Sequence, residues 1–248
     1  MIIAIANQKG GVAKTTSTIC LGGLLAQTTS CLVVDLDPQG NLTVGLGVDI
    51  ADDQKSVYEV ITEQVEVKEV VVKTKSGLHL LPSDISLAKG ETEILTKVGN
   101  FLILKERLEE VSHQYDHILI DCPPSLGLLT VNALSAADAV LIPVQCQFFA
   151  LKGLAALLET IQSIQKRLNP NLQILGVLPT MAEKTLMTRD VLASLNKRLT
   201  GITIFDPVPK SVKFAESNLA GEPIHLYADD PKLIAPYQAI SQLITGEK

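Results

Sequence analysis

Apolar residues along this chain form short, continuous runs separated by stretches with helical spacing. Most of these runs lack alternating polar positions, which is typical of strands covered on both faces, as in a parallel sheet flanked by helices. The runs that we predict as strands are Ile2 to Ala6, Cys31 to Leu36, Leu78 to Leu81, His117 to Ile120, Ala139 to Val144, Ile174 to Leu178 and Ile202 to Phe205.

Helical patterns occupy the intervals between these runs. Repeated β–α units predict a doubly wound α/β fold with a mostly parallel sheet, whose ligands bind at the carboxyl ends of the strands. We expect a single domain over residues 1–248 without an amino-terminal helix-turn-helix domain. The polar segment from about Asp49 to Lys75 is interpreted as a peripheral helix and a short edge strand. The main predicted helices are Lys14 to Gln27, Phe101 to Ser112, Leu151 to Leu168, Leu186 to Leu199 and about Pro231 to Ile244.

The composition excludes several classes of protein. With 248 residues and 46% hydrophobic content, the chain can bury a sizeable core. No apolar run approaches the roughly 18 residues needed to cross a bilayer, and no signal peptide precedes the first strand, so we expect a cytoplasmic protein. A net charge of −6 argues against a wholly basic nucleic-acid binder. Four cysteines without a CxxC pair suggest neither a zinc site nor a disulfide framework: Cys20, Cys31, Cys122 and Cys146.

A glycine-rich segment, Asn-Gln-Lys-Gly-Gly-Val-Ala-Lys-Thr-Thr, follows the first predicted strand at residues 7–16. Gly10 and Gly11 let the backbone turn its amides towards an anion. Lys14 adds a positive charge, and Thr15 offers a hydroxyl to a magnesium ion. This combination predicts a binding site for a nucleoside triphosphate.

The strict phosphate-loop pattern G-x-x-x-x-G-K-[ST] has glycine at two positions where this chain has Gln8 and Ala13. We expect a negative φ at Ala13, as at the entry to a helix, because a positive φ penalises a residue that has a Cβ. A second lysine, Lys9, lies inside the loop.

The loop resembles the deviant Walker A signature of the ParA/MinD ATPases, usually written KGGVGKTT, whereas this chain has KGGVAKTT. The resemblance implies that Lys9 crosses a dimer interface to the phosphates of the other subunit's ATP, so that nucleotide helps to hold the dimer together. A cation supplied in this way would assist phosphoryl transfer through charge neutralisation, alongside Lys14. The resemblance implies ATP contacts from Lys9, Gly10, Gly11, Val12, Ala13, Lys14, Thr15 and Thr16.

Two acids, Asp35 and Asp37, flank Leu36 at the end of the second predicted strand, and an extended backbone directs both to one side. In the ParA family, the acid before Pro-Gln-Gly-Asn lies near the metal and orients the attacking water, and here that match is Asp37. Asp35 is interpreted as a buried acid. The following residues, from Pro38 to Gly40, form a loop that can respond to the γ-phosphate.

A third acid, Asp121, ends the apolar run that begins at His117, which is the form of a Walker B strand. The resemblance implies that Asp121 holds Mg²⁺ through a water while Thr15 binds the ion directly. The segment after it, from Pro123 to Gly127, makes the second switch loop. Cys122 has no thiol partner in the pattern, so we do not interpret it as a redox residue.

Base and DNA contacts are implied by the same resemblance. The segments around Met181 and from Asp206 to Ser211 match those that hold adenine, with Met181, Pro209 and Ser211 as candidates. From Glu183 to Lys213, six basic residues stand against three acids, which contrasts with the acidic chain as a whole. ParA proteins bind DNA non-specifically through this region, which needs only cations along a surface. The DNA-binding candidates are Lys184, Lys210 and Lys213.

The leading hypothesis is therefore a ParA-type partition ATPase, weak alone and stimulated by a ParB-like partner, that uses ATP and Mg²⁺, dimerises and associates with the nucleoid. A MinD-like regulator would need a basic amphipathic carboxyl-terminal helix, and the tail from Pro231 carries only Lys232 and Lys248, so no stable membrane association is expected. Cargo-positioning relatives use the same machinery and stay open. Iron–sulfur carriers would need a cysteine set that this chain lacks, and a metabolic ligase would need a substrate pocket.

Overall fold

The computed structural model describes residues 1–51, 54–147 and 150–246 of the chain, without the side chains of residues 150–152. The described strands form one sheet. They are β1 (Ile2–Ile5), β2 (Cys31–Asp35), β3 (Val72–Lys73), β4 (His79–Leu81), β5 (His117–Asp121), β6 (Ala139–Gln145) and β7 (Gln173–Thr180).

Helices connect and cover these strands. The described helices are α1 (Lys14–Leu25), α2 (Asn41–Gly45), α3 (Val57–Thr62), α4 (Val67–Val70), α5 (Ser86–Ile94), α6 (Ile103–Glu109), α7 (Leu128–Ala136), α8 (Ala150–Arg167), α9 (Leu186–Arg198), α10 (Lys213–Ala220), α11 (Ile224–Tyr227) and α12 (Pro231–Thr245), with a 3₁₀ turn at Ser112–Gln114.

The sheet has the order β3-β4-β2-β5-β1-β6-β7, and only β3 pairs antiparallel to its neighbour. β1 lies at the centre between β5 and β6. The predicted doubly wound, mostly parallel fold is therefore confirmed. Because the central strands are parallel, their carboxyl ends meet at one edge, and the segments after β1, β2 and β5 converge there.

Both faces of the sheet are buried, as the continuous apolar runs predict. In β1, Ile3 and Ile5 belong to one hydrophobic cluster, whereas Ala4 and Ala6 belong to the other. The first cluster lies under α1 and α12, and the second under the helices on the opposite face. Successive side chains of a strand point to opposite faces, so each face receives apolar residues.

Helix α1 lies unusually close to the sheet at Gly22. A Cβ built at Gly22 would lie 2.8 Å from Val33 Cγ1 in β2, a distance that real Cβ atoms do not tolerate without a shift. Glycine therefore lets α1 approach the strand. The last turns of this helix are thereby held against the sheet.

One predicted strand, Ile202 to Phe205, is wrong. The segment pairs with β7 only locally: Val177 N–H donates to Thr203 O at 2.8 Å, and Phe205 N–H donates to Val177 O at 2.9 Å. Pro207 follows at once and has no N–H to continue the ladder. The segment is therefore an interrupted edge rather than an eighth strand.

The polar segment before β4 contains two short helices, α3 and α4, and the edge strand β3, where we predicted one helix and a strand. Ser56 caps the start of α3 with a capping box, in which the Ser56 N–H donates to Glu59 Oε2 at 2.7 Å. Residues 52 and 53 of this segment lie outside the described part of the chain. The long predicted helices agree with α1, α6, α8, α9 and α12 apart from small differences at their ends.

Candidate functional site

The predicted phosphate loop joins β1 to α1 at the carboxyl edge of the sheet. Gly11 has a φ of 69°, a left-handed conformation that glycine adopts without penalty. Lys14 is the first residue of α1 and is 7% exposed. Val12 is buried, and its carbonyl accepts a hydrogen bond of 3.1 Å from Thr180 Oγ1 at the end of β7. The loop is therefore fastened to the sheet.

A cavity of about 550 Å³ opens beside this loop. It is bounded by the loop, by the segment after β2 and by one face of α10. Its lining includes Gly10, Gly11, Ala13, Lys14, Thr15, Thr16, Asp37, Gln39, Asn41, Pro124, Met181 and Asn218. Residues predicted from three separate segments thus border one space.

The expected negative φ at Ala13 is wrong. Ala13 has φ 67° and ψ 33°, which is the left-handed region, and it is the residue before the first turn of α1. Its carbonyl accepts the N–H of Ser17 at 2.9 Å, so the helix begins from this strained residue. The turn from the loop into α1 fixes the backbone conformation here, and the methyl group is accommodated at a cost of about 1 kcal/mol.

Thr15, which lines the cavity, contacts the buried Asp121. Thr15 Oγ1 donates a 2.6 Å hydrogen bond to Asp121 Oδ2. Asp121 Oδ1 is buried and has no hydrogen-bond partner among the described residues. Burial, together with the nearby charge of Asp35, raises the pKa of Asp121 to about 8, although the Thr15 hydrogen bond and the Lys14 charge oppose the shift. The site thus contains a buried acid with one oxygen that has no hydrogen-bond partner among the described residues.

The two acids after β2 have different surroundings. Asp35 is fully buried and accepts hydrogen bonds from Thr43 N at 2.9 Å and Thr43 Oγ1 at 2.8 Å. Burial raises the pKa of Asp35 to about 7. Asp37 borders the cavity, and its Oδ1 accepts the N–H of Gln39 at 3.0 Å. The interpretation of Asp35 as a buried acid is consistent with these contacts, while Asp37 faces the space where a ligand would lie.

These groups fit Mg²⁺ and a triphosphate. Magnesium prefers oxygen ligands and keeps several of its waters, and it is bound through one or two carboxylates together with phosphates. The cavity lining includes the Thr15 hydroxyl and the carboxylate of Asp37, and Thr15 contacts Asp121, whose other oxygen is unpartnered among the described residues. A divalent cation here would offset the cost of burying the acids. The roles of these residues stay predictions.

Lys9 lies at the rim of the loop and is held by two uncharged side chains. Its Nζ donates to Gln145 Oε1 at 3.0 Å and to Gln147 Oε1 at 2.9 Å. Both glutamines belong to the carboxyl end of β6 and the residues just after it. The sequence analysis did not single them out, although their place at the end of a central parallel strand is the signal that would have indicated them.

A second cavity of about 330 Å³ adjoins the first beyond Ala13 and Thr16. The three predicted base-contact residues, Met181, Pro209 and Ser211, all line it. Met181 has a φ of 51°, which is rare for a residue with a side chain. The sequence analysis missed several further lining residues: Phe214, Ala215, Asn218 and Tyr237.

Asn218 is the most informative of the residues that were missed. It lines both cavities, and its Oδ1 is buried without a partner among the described residues. Unpaired polar atoms of this kind are uncommon in folded proteins. The residue spacing of α10 does not indicate that Asn218 lines these cavities, because that position depends on how α10 packs over the loop.

Two of the three predicted DNA-binding lysines are paired with acids. Lys210 Nζ lies 2.6 Å from Glu183 Oε1, and Lys213 Nζ lies 3.0 Å from Asp230 Oδ2. Lys184 is exposed and takes part in no described ion pair. Three cations of α9 are likewise exposed and take part in none of the described ion pairs. Those three are Arg189, Lys197 and Arg198.

Cys122 adjoins Asp121 and is buried. Burial and the neighbouring Asp121 charge raise the pKa of the Cys122 thiol well above its ordinary value. A thiol kept protonated in this way is a poor nucleophile, which agrees with the prediction that Cys122 has no redox role.

Among the helices of the described residues, none is both long and apolar enough to cross a membrane.

Comparison with known proteins gives consistent matches. A family model described as an AAA domain matches residues 1–174. The sporulation initiation inhibitor protein Soj of Bacillus subtilis is 44% identical over 234 residues, which cover 93% of this chain and 92% of Soj.

Solved structures show the same fold. Cobyrinic acid a,c-diamide synthase from Mycobacterium smegmatis, with bound ATP analogue and magnesium, has a TM-score of 0.88 at 39% identity and covers 98% of this chain and 93% of its own. An Asp-to-Ala variant of Cyanothece McdA in complex with ATP has a TM-score of 0.93 at 27% identity and covers 100% of this chain and 96% of its own. From its sheet order, its deviant phosphate loop and these relatives, the chain belongs to the ParA/MinD family of P-loop ATPases.

Proposed function

We propose that this protein is an ATPase that binds Mg²⁺–ATP, dimerises with it, binds DNA non-specifically and drives chromosome or plasmid partition with a ParB-like partner. The observation that carries the proposal is the contact of Thr15 with Asp121 beside the phosphate loop, because it leaves the second carboxylate oxygen of Asp121 buried without a partner among the described residues. Soj supports the partition role through its 44% identity over nearly the whole chain.

The proposed chemistry is phosphoryl transfer to water. Loop amides and Lys14 bind the phosphates, Asp37 orients the attacking water, and Thr15 and Asp121 would hold the magnesium. Magnesium, when bound, neutralises the charge on the phosphate oxygens. Met181, Pro209 and Ser211 surround the base in the smaller cavity. Turnover is slow without the partner protein.

The proposed dimer requires the Lys9 side chain to leave its contacts within its own subunit and to extend into the other subunit. Lys9 contacts two neutral glutamines rather than a carboxylate, so no described ion pair opposes its release. In the proposed dimer, its ammonium reaches the phosphates held by the other subunit and adds positive charge where it develops in the transition state.

The proposed DNA surface lies around α9 and the segment that follows it. Lys184, Arg189, Lys197 and Arg198 supply cations with no described acid partner, and Lys210 and Lys213 add two more when their ion pairs open. Exposed ion pairs are worth at most about 1 kcal/mol, so DNA phosphates compete with Glu183 and Asp230 easily. Dimerisation doubles the surface and so couples DNA binding to ATP. The proposed location is cytoplasmic and nucleoid-associated.

A second candidate is an ATP-dependent amide-forming ligase, since one well-matched structure is a cobyrinic acid a,c-diamide synthase. Such an enzyme requires an acid substrate beside the γ-phosphate, and its ATP turnover would depend on that acid rather than on DNA. A cargo-positioning ATPase would share the DNA behaviour and differ in its partner protein.

The deciding experiment is retention on a random-sequence DNA duplex with ATP, with ADP and without nucleotide, each over a range of salt. The proposal expects retention that needs ATP and weakens steeply as salt rises. Retention that ignores nucleotide, or no retention at low salt, would refute the DNA-binding role. ATP turnover that appears only with a carboxylic acid and an amine donor would favour the ligase.

A further inference from the structure

Helix α7 begins only a few residues after Asp121, and its start has no cap of its own. The residue before its first turn is Gly127, which has no side chain to accept a hydrogen bond from the first amides. Unpaired amides at a helix start favour a nearby acceptor, above all a negative one. The acceptor here comes from another helix.

Glu91 of α5 supplies that acceptor. Its Oε1 accepts the N–H of Leu129, in the first turn of α7, at 3.3 Å. A Cβ built at Gly127 would lie only 2.6 Å from the same Oε1 and 3.4 Å from Ser125 Oγ, so the carboxylate lies directly over the end of the loop. None of the described ion pairs involves Glu91, which leaves the helix start as its described partner.

The loop between Asp121 and α7 is consequently fixed at both ends. At its beginning, Cys122 N–H donates to Ile5 O at 3.2 Å, which ties it to β1. At its end, Thr130 Oγ1 donates to Ser125 O at 2.6 Å, and Glu91 holds the first turn of α7. Between these ties, Pro124 borders the large cavity and packs 3.9 Å from the position of a Cβ on Gly10.

We propose that Glu91 is a positioning residue for ATP hydrolysis: it ties α5 to the start of α7 and so fixes the loop that runs from Asp121 past the phosphate loop. This rests on the proposed function, because it assigns a consequence for hydrolysis at the same site. Glu91 touches neither nucleotide nor metal. Its effect is on the geometry of the loop, so it acts on turnover rather than on nucleotide binding.

The main test compares Glu91→Ala and Glu91→Gln with wild type in steady-state ATP hydrolysis. Because small misplacements in an active site are costly, Glu91→Ala is expected to lower kcat at least about tenfold with KM nearly unchanged. Glu91→Gln keeps an acceptor of the same length and should restore most of that loss. Equal kcat values for Glu91→Ala and wild type, or a loss confined to KM, would overturn the proposal.

Glu93→Ala is the matched control. Glu93 lies on the same helix and pairs with Lys89 at 3.0 Å, away from α7. The Glu93→Ala variant should leave kcat unchanged. A loss of kcat equal to that of Glu91→Ala would show that only the stability of α5 matters and would overturn the positioning role.

A second arm needs no activity. Amide hydrogen exchange in the nucleotide-free protein should be faster at Leu129 in Glu91→Ala than in wild type, and close to wild type in Glu91→Gln. If the wild-type protein does not hydrolyse ATP, the proposed function is refuted. Amide hydrogen exchange at Leu129 then tests by itself whether Glu91 ties α5 to α7. Faster exchange supports the tie between α5 and α7, and unchanged exchange overturns it.

Discussion

Thr15 and Asp121 lie 106 residues apart in sequence and 2.6 Å apart between their side-chain oxygens. Their strands, β1 and β5, are adjacent and parallel, so a loop after one and an acid ending the other reach the same point. The Thr15 hydroxyl uses its proton in the hydrogen bond to Asp121, and its oxygen keeps lone pairs that can bind a cation. Direct metal binding by Thr15 is therefore compatible with this hydrogen bond.

Thr15→Ala should weaken ATP binding in magnesium and change it little in EDTA. The variant removes the hydroxyl predicted to bind the ion directly, and losing a contact to a charged group costs roughly 1.5–3 kcal/mol, about ten- to a hundredfold in affinity. Titration calorimetry in the two buffers measures the difference. Thr29→Ala, which removes a hydroxyl bonded to Leu25 O beyond the end of α1, is the control. An equal loss in both buffers would contradict the metal-ligand role.

Asp37→Ala should abolish most turnover while ATP stays bound and the dimer persists. The carboxylate borders the cavity, and among the described hydrogen bonds it accepts the N–H of Gln39 and does not contact Lys14. Its predicted task is therefore to orient water, a contribution of about 10²–10⁴-fold. Phosphate release and sedimentation with ATP measure the two effects. Asp229→Ala, at an exposed acid, should behave as wild type. Unaltered phosphate release by Asp37→Ala would remove its hydrolytic assignment.

Lys9→Ala should keep nucleotide binding largely intact and abolish the ATP-dependent dimer. Among the described hydrogen bonds, the Lys9 side chain donates only to Gln145 and Gln147, so its removal should leave the fold and the phosphate loop in place. Sedimentation with ATP, paired with nucleotide titration, separates the two properties. Lys166→Ala removes an exposed lysine of α8 and should dimerise normally. A Lys9→Ala dimer as strong as that of wild type would rule out the cross-subunit role.

Ala13→Gly should stabilise the nucleotide-free protein by less than about 1 kcal/mol, because the chain entropy that glycine adds offsets part of the relieved strain. Ala13 holds a φ of 67°, which penalises a methyl-bearing residue and not glycine. Ala26→Gly is the matched control because Ala26 follows the same helix with an ordinary φ of −66°, where glycine adds only chain entropy. Urea unfolding should shift in opposite directions for the two variants. A destabilised Ala13→Gly would mean that the methyl contacts outweigh the backbone strain.

Replacing Lys210 and Lys213 together by alanine should weaken DNA binding for every sequence. Each lost phosphate contact reduces the salt slope by about 0.9. The ion pairs sharpen the test, because Glu183→Gln frees Lys210 from its partner and should strengthen binding. The double variant Lys75→Ala with Lys105→Ala removes the same charge from exposed positions elsewhere. Equal retention by Lys210→Ala/Lys213→Ala and this control would exclude the proposed surface.

Local patterns predict most of this fold because each central strand is a continuous apolar run between helices. The one strand that fails, Ile202 to Phe205, has the right residues, but Pro207 interrupts its pairing with β7, which resumes only at Val208. The phosphate loop and its acids are also local, since each directly follows a strand. Their convergence follows from the parallel order of the sheet.

Local sequence patterns could not predict side-chain contacts that depend on how helices distant in sequence pack together. Asn218 borders both cavities only because α10 packs across the loop, and Glu91 reaches α7 only because α5 lies beside it. The conformation of Ala13 was mispredicted for a related reason. Residue preference favours a negative φ, but the fixed ends of the loop, at β1 and α1, decide the backbone there.

The grip of Gln145 and Gln147 on Lys9 has a consequence for reversibility. Amide oxygens accept hydrogen bonds from the ammonium group of Lys9 but carry no charge to neutralise it in the contact described here. When Lys9 moves from these amide oxygens to a triphosphate, it therefore gains a charge–charge attraction. When phosphate leaves and Lys9 returns to the two glutamines, that attraction is lost. Under the proposed function, each round of hydrolysis resets the lysine without any need to break a salt bridge within its own subunit.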